Sequence, residues 1–173
     1  DKNTAYACFN HHRYGDFKPY LVKTSDGGKT WKSISSNLPE RGSVYSIAED
    51  HLDKNLLFVG TEFGLFFSIN GGDSWFQMKN GLPTVAVRDI EIQRRENDLV
   101  IATFGRGFYI LDDYSILRNL KKEDLTKEAS IFPIKNALIY NPSMKLGLRG
   151  KGHLGSSYFT SPNPEPGAII YYY

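Results

Sequence analysis

An eight-residue motif occurs twice in this chain, and it limits the possible folds more than any other feature of the sequence. The first copy reads TSDGGKTW over residues 24–31, and the second reads SINGGDSW over residues 68–75. Each copy has a hydroxyl residue, a turn-forming Asp or Asn, two glycines and a final Trp, a composition typical of a hairpin tip that closes on its own sheet. The spacing of 44 residues between the copies indicates repeated architecture.

Short apolar segments around the two motifs predict repeated units of β-strands. The second and third units carry their predicted strands at residues 44–48, 56–61, 65–68, 75–78, 87–92, 99–103 and 108–111. Asp113 takes the place of Asp26 and Asn70 in the third unit, but glycines and Trp are missing there, and residues 114–120 have helical spacing. The first unit begins at residues 5–9 with what matches a second strand, so we expect its own first strand to be absent from this sequence.

The two motifs resemble the Asp-box, or BNR repeat, of sialidase-like and sortilin-like β-propellers. In that family the carboxylate accepts hydrogen bonds from amides of its own loop, and the Trp packs between neighbouring sheets. The resemblance therefore implies a structural rather than a catalytic motif, with structural roles for Asp26, Gly28, Trp31, Asn70, Gly72 and Trp75. The segments HRYGDFKPY (12–20) and ATFGRGFYILDD (102–113) further resemble large bacterial BNR-repeat proteins that are often labelled glycosyl hydrolases.

These observations predict an all-β fold built from propeller blades, each a four-stranded antiparallel sheet with an Asp-box hairpin. We expect a partial propeller over residues 1–113, and a short helix with closing strands over 114–140. A linker rich in Gly, Pro and Ser follows over 141–166, and residues 167–173 read as the first strand of a truncated domain, which the resemblance implies is a β-sandwich. Because propellers usually have four to eight blades, we expect other blades of the parent chain, or a partner chain, to complete the ring.

Composition excludes several functional classes. The net charge is +2, and Lys and Arg are spread along the chain without a basic stripe, which argues against nucleic-acid binding. The single cysteine, Cys8, cannot form an internal disulfide and reads as a small core residue. No apolar run is long enough to cross a bilayer, and we expect no cofactor. The resemblance implies a secreted or periplasmic location.

The first unit carries an insertion that we interpret as a ligand-binding loop. Eighteen residues separate Cys8 from Asp26, against 10 and 11 between the equivalent positions of the later units. The extra residues lie within segment 11–17, on the propeller face where loops carry ligand chemistry. We expect this segment and the matching loops of the next two units to form one polar binding surface, with His11, His12, Arg13, Asp16, Glu62 and Arg106 as its residues.

Each of these residues also has a simpler structural interpretation. Asp16 can cap a turn, and Arg13 can pair with Asp16 or stack on Tyr14. Glu62 can pair with an arginine of a neighbouring blade, and Arg106 can be structural. The adjacent histidines do not indicate metal, because consecutive strand residues face opposite ways and no Cys or carboxylate lies at a zinc spacing.

Two functional classes remain open. In the first, the propeller is a binding or interaction platform for a polypeptide or glycan ligand. In the second, it is a glycoside hydrolase of sialidase or xyloglucanase character whose remaining catalytic residues lie in missing blades. Hydrolysis usually needs two carboxyl groups across the bound sugar, and the sequence offers Asp16 and Glu62 on the loop face and Asp89 and Glu91 on an innermost strand. Since these form no recognisable signature, the catalytic residues are unknown and the first class is favoured.

Overall fold

A computed structural model describes residues 1–121, 123, 127–137, 139 and 167–172, and the chain divides into two compact units, Asp1–Glu123 and Asp124–Tyr173. The described residues contain no α-helix. The first unit holds β1 (Ala5–His11), β2 (Asp16–Thr24), β3 (Lys32–Ser33), β4 (Val44–Glu49), β5 (Leu57–Thr61), β6 (Gly64–Ser68), β7 (Phe76–Met78), β8 (Val87–Gln93), β9 (Asp98–Thr103) and β10 (Phe108–Leu111). Two 3-10 helices, His12–Tyr14 and Tyr114–Arg118, complete the first unit.

The ten strands form three antiparallel sheets that follow one another along the chain. The first sheet has the order β1-β2-β3, the second β4-β5-β6-β7, and the third β8-β9-β10. The predicted strands of all three repeat units are confirmed to within a few residues at their ends. The first sheet begins with the equivalent of a second strand, as expected, and the third ends in a 3-10 helix where the second has its fourth strand.

The hydrophobic core lies between consecutive sheets. Strand β5 is buried at all five positions, because its side chains alternate between the two faces of the middle sheet and both faces are covered. Leu57 and Val59 pack toward the first sheet, whereas Phe58 packs toward the third. Gly60 allows β8 to approach β5 closely, since a Cβ atom at this position would lie 2.5 Å from Ser46 Oγ and 2.7 Å from the carbonyl oxygen of Val87.

The two eight-residue motifs fold into the same hydrogen-bonded turn. Thr30 donates to Asp26 from its backbone N–H at 2.9 Å and from its hydroxyl at 2.6 Å, and Thr24 donates to Asp26 at 2.8 Å. These bonds, led by the Thr30 hydroxyl, lower the pKa of Asp26 to about 2. In the second motif Ser74 N–H donates to Asn70 Oδ1 at 3.0 Å, and Asn70 Nδ2 donates back to Ser74 Oγ at 2.9 Å. The motifs are therefore structural turns.

The two motif tryptophans have different environments. Trp75 is 3% exposed, lies in the core between the first two sheets, and donates from Nε1 to the carbonyl oxygen of Ile34 at 2.7 Å. The expected inter-sheet position of Trp31 is wrong within the described chain, where Trp31 is 47% exposed. Trp75 packs against the sheet that precedes its own, and the described residues place no sheet before β1.

The 3-10 helix after β10 is fixed to the second sheet by a buried ion pair. Arg118 donates to Asp50 from Nε at 2.8 Å and from Nη2 at 2.7 Å, and Tyr114 donates its hydroxyl to Asp50 at 2.6 Å. Asp113 begins this helix in the left-handed region at φ 47°, with its side chain accepting from Ser115 N–H. The turn residue of the third repeat unit therefore caps a helix instead of closing a hairpin.

Described residues of the second compact unit pair at one point. An isolated antiparallel bridge joins Ile131 to Tyr172, and Phe132 N–H donates to the carbonyl oxygen of Tyr171 at 3.1 Å. The predicted linker over 141–166 lies outside the described residues, and the following β-sandwich stays a prediction. None of the helices in the described part of the chain has the length and apolar character needed to cross a membrane.

Candidate binding surface at the hairpin tips

The tips of three hairpins contact the connections that lead from one sheet to the next. Gly42 N–H donates to the carbonyl oxygen of Phe17 at 2.8 Å, and Glu62 N–H donates to that of Ser43 at 3.0 Å. One blade further, Phe104 N–H donates to the carbonyl oxygen of Ala86 at 2.8 Å. We call the side chains of these tips the hairpin-tip surface, which comprises the exposed His11, His12, Arg13, Tyr14, Phe63, Phe104 and Arg106 and the half-buried Asp16 and Glu62.

The insertion in the first blade lengthens a hairpin, and the expectation of a long loop is wrong for most of it. Strand β1 continues to His11, β2 starts at Asp16, and these two residues pair across the hairpin. The tip itself is a single 3-10 turn, His12–Tyr14, closed by Gly15 at φ 76°. The extra residues therefore project this hairpin beyond the other two.

Asp16 organises the start of β2. Its carboxylate accepts from the hydroxyl of Tyr20 at 2.5 Å and from the backbone N–H of Lys18 at 3.2 Å. The Tyr20 hydroxyl is the main cause that holds the pKa of Asp16 below its ordinary value, followed by the Lys18 amide. Asp16 therefore makes local hydrogen bonds at the start of β2, as the interpretation as a turn cap predicts. It does not form an ion pair with Arg13.

The two histidines make local contacts on the exposed tip. The His11 ring lies 4.5 Å from the Tyr14 ring, measured between centroids, and His12 Nδ1 lies 2.6 Å from Asn10 Oδ1. Among the residues that the structure describes, no group of three His, Cys, Asp or Glu side chains is placed to hold a metal ion.

The remaining two residues lie on the next two tips. Glu62 is half-buried beside Ser43, while Arg106 is exposed between Gly105 and Gly107, both with positive φ. Within the described chain neither Arg13, Glu62 nor Arg106 forms an ion pair. The structure thus places the six predicted residues at the same end of three sheets, and among the described residues no hydrogen bond or ion pair joins their side chains from one tip to another.

A side-chain stack between blades was not predicted from the sequence. The pairing of β4 with β5 skips Tyr45, and the pairing of β8 with β9 skips Arg88, so each innermost strand has an irregularity at an equivalent position. The Arg88 guanidinium carbon lies 4.0 Å from the Tyr45 ring centroid and 5.3 Å from that of Phe104. The spacing of 43 residues between Tyr45 and Arg88 was a usable signal, because it equals the spacing between Asn70 and Asp113 in the same two repeat units.

A groove of about 840 Å³ lies beside the projecting hairpin. It exists because β3 pairs with only two residues of β2, Val22 and Lys23, which leaves the start of the longer β2 uncovered on that side. Arg41 lines the groove with its guanidinium carbon 4.9 Å from the Phe17 ring centroid. The arginine–aromatic pairing at blade connections therefore occurs twice.

Comparisons with known proteins identify the fold through solved structures. No protein-family model and no curated protein matches the chain. A GH74 enzyme of Niastella koreensis is similar in structure, with a TM-score of 0.53 and 12% identity over 66% of this chain and 19% of that enzyme. That likeness shows the fold. The chain is a partial β-propeller.

Two further solved structures are similar over a comparable part of the chain. An ancestral GH74 enzyme has a TM-score of 0.49 and 23% identity over 61% of this chain and 13% of its own. YCF48 bound to D1 peptide has a TM-score of 0.48 and 21% identity over 65% of this chain and 35% of its own. The chain thus spans about a third or less of each of these three structures.

Proposed function

We propose that this chain is part of an Asp-box (BNR) propeller whose hairpin-tip surface is a binding platform for a polypeptide or glycan ligand. One observation carries the proposal: each of the three tips presents an exposed aromatic ring beside a charged residue. The rings of Tyr14, Phe63 and Phe104 are 81%, 39% and 68% exposed. Exposed aromatic and charged side chains on loops held by a rigid sheet are typical of recognition surfaces.

The turn geometry supports the Asp-box assignment. In both motifs a hydroxyl from the start of the turn donates to the Asp or Asn side chain, and the same hydroxyl accepts a hydrogen bond from the N–H of the glycine four residues after it. For the first motif the Gly28 N–H lies 3.0 Å from Thr24 Oγ1, and for the second the Gly72 N–H lies 2.9 Å from Ser68 Oγ. The side chains of Asp26 and Asn70 are hydrogen-bonded within their own turns, which favours the tips at the other end of the sheets as the place of ligand binding.

A glycoside hydrolase of sialidase or xyloglucanase character is the alternative, and the fold shared with a GH74 enzyme keeps it open. A general acid for glycoside cleavage needs a raised carboxyl pKa. Asp16 has the opposite perturbation, because Tyr20 donates to its ionised form and lowers its pKa. The carboxylate of the projecting hairpin is therefore suited to accept hydrogen bonds from a ligand rather than to protonate a leaving group.

The test uses the natural polypeptide that contains this sequence. Binding to an immobilised panel of plant and sialylated glycans and of unstructured peptides is compared between the natural protein and the double variant Arg13→Ala/Arg106→Ala. We expect at least a tenfold loss of affinity for whichever probe binds, since two exposed donors are removed. The control, Lys29→Ala/Arg94→Ala, removes two exposed cations away from the tips and should change affinity less than twofold.

Two results would contradict the proposal. Unchanged affinity of the Arg13→Ala/Arg106→Ala variant would place ligand binding elsewhere. Release of reducing sugar from xyloglucan, or of sialic acid from a sialoside, at enzymatic rates would establish the hydrolase alternative instead. The secreted or periplasmic location belongs to the same proposal and is checked by fractionating cells of the source organism and probing for the polypeptide.

A further inference from the structure

The stacked arginine between the second and third blades has the geometry of a ligand-binding group. Arg88 lies at the irregularity in β8, where an extra residue re-aims a side chain that regular pairing would fix. Its guanidinium carbon is 4.0 Å from the Tyr45 ring centroid and 5.3 Å from the Phe104 ring centroid. Aromatic contacts of this kind hold a flexible arginine in place, which lowers the entropy cost of binding.

The N–H groups of Arg88 are not used within the described part of the chain. Arg88 is exposed and forms no ion pair there, in contrast to Arg118, whose N–H groups donate to Asp50. A guanidinium that contacts aromatic rings keeps its donors at the edge of its plane, where they match the two oxygens of a carboxylate. Arg106, on the same hairpin tip as Phe104, adds a second exposed guanidinium without an ion pair.

We propose that Arg88, positioned by Tyr45 and Phe104, binds a carboxylate side chain of an acidic polypeptide. This inference rests on the proposed function and identifies one of its ligand classes. At the blade connections the arginine contacts favour a charged ligand group over a stacked neutral sugar ring. A sugar ring binds by stacking on an open aromatic face, but Arg88 occupies a face of Tyr45 and Phe104, and Arg41 lies over Phe17. The groups that remain available to a ligand at the connections between blades are therefore the N–H groups of Arg41 and Arg88.

The test is a fluorescence-anisotropy titration of the natural polypeptide with two labelled probes. One probe is a twelve-residue peptide of alternating Glu and Gly, and the other has Gln in place of each Glu. We expect the Glu probe to bind at least tenfold more tightly, and Arg88→Gln to remove at least tenfold of that affinity. Arg88→Lys should retain only part of the affinity for the Glu probe, because an ammonium group keeps the charge but cannot donate two parallel hydrogen bonds to one carboxylate.

Arg94→Gln is the matched control. It makes the same charge change just beyond the other end of β8, about 20 Å away at the rise of an extended strand, and should change the affinity less than twofold. Thermal unfolding and near-ultraviolet circular dichroism of each variant establish that it is folded.

The outcomes separate this inference from the proposed function. Equal loss in the Arg88→Gln and Arg94→Gln variants would reduce the effect to overall charge and overturn the site. Binding of the Glu probe that depends on Arg13 and Arg106 but not on Arg88 would overturn the site and leave the proposed function standing. Binding of glycans alone, with no affinity for the Glu probe, would overturn the polypeptide class, and no binding to any probe would overturn both proposals.

Discussion

Replacing Asp50 by alanine should destabilise the first compact unit by about 3–5 kcal/mol. Asp50 is 3% exposed and accepts five hydrogen bonds at 2.6–3.1 Å, from Arg118, Tyr114 and the backbone N–H groups of Leu52 and Asp53. The variant leaves Arg118, whose side chain is only 15% exposed, without its counter-charge. Loss of one partner of a buried ion pair costs about 3–5 kcal/mol.

The magnitude translates into a measurable shift of the melting temperature. An unfolding entropy of about 2.1 cal/mol/K per residue gives roughly 0.26 kcal/mol per kelvin over a unit that ends at Glu123. The expected shift is therefore on the order of 10–20 °C, measured by circular dichroism together with urea unfolding. The exposed Asp73→Ala is the control, and we expect it to change stability by less than about 0.5 kcal/mol.

A double variant tests the cause. Asp50→Leu/Arg118→Met removes both charges and keeps apolar volume, so it should recover at least half of the loss seen in Asp50→Ala. A loss below about 1 kcal/mol in Asp50→Ala would refute the reasoning. So would a double variant as unstable as the single one, because the cost would then come from packing rather than from an unpaired charge.

The same ion pair predicts how stability depends on pH. Burial alone would raise the pKa of Asp50, but the hydrogen bonds from Arg118, Tyr114 and the backbone outweigh burial and hold that pKa well below its usual range. A depressed folded-state pKa contributes stability above the unfolded value of about 3.9, and this stability is lost as the pH falls below it. Asp50→Asn does not titrate, so its stability should decline less steeply below about pH 4.

Two further predictions concern the repeated turns. Trp75→Phe should lower the free energy of unfolding by about 1–3 kcal/mol, measured by urea unfolding, because the carbonyl oxygen of Ile34 loses its buried donor. The exposed Trp31→Phe should cost less than about 0.5 kcal/mol. Similar losses in the two variants would contradict the different burial of the two tryptophans. Asn70→Asp should change the free energy of unfolding by less than about 0.5 kcal/mol, because the Ser74 hydroxyl can donate to a carboxylate as Thr30 does to Asp26. Asn70→Ala should cost about 1 kcal/mol. A destabilised Asp variant would show that the two turns differ.

The strands were predictable because the motif spacing and the alternation of apolar residues repeat from blade to blade. The hairpin extension was not, since a residue count cannot distinguish a longer loop from longer strands. Pro19 lies in the interior of β2 although proline has no N–H to donate. The carbonyl oxygens of Phe17 and Leu21 accept hydrogen bonds on the edge of β2 that faces away from β1. Pro19 lies between them on that same edge, where β3 does not pair, so no strand requires its missing N–H.

The candidate site was predictable only in part. The residues of the tips followed from loop position, but the contacts of Arg88 with Tyr45 and Phe104 depend on a one-residue irregularity in each innermost strand. Alternation rules place such residues on a regular face and therefore misplace them. The Asp50–Arg118 pair was likewise hidden, because it joins a strand end to a helix 68 residues later and repeats nowhere else among the described blades.

The contrast between the two ends of the blades supports the proposed place of ligand binding. At the motif end, two turns with different residues, Asp26 and Asn70, form equivalent hydrogen bonds, so geometry is kept while chemistry varies. At the tip end, equivalent hairpins differ in length and in charge, with Arg13, Glu62 and Arg106 on successive tips. A closed ring requires each blade to repeat its packing, but a ligand contacts several blades at once and is asymmetric. Differences among the tips are therefore what the proposed binding surface requires, and the stacked Arg88 is the point where two blades would jointly form it.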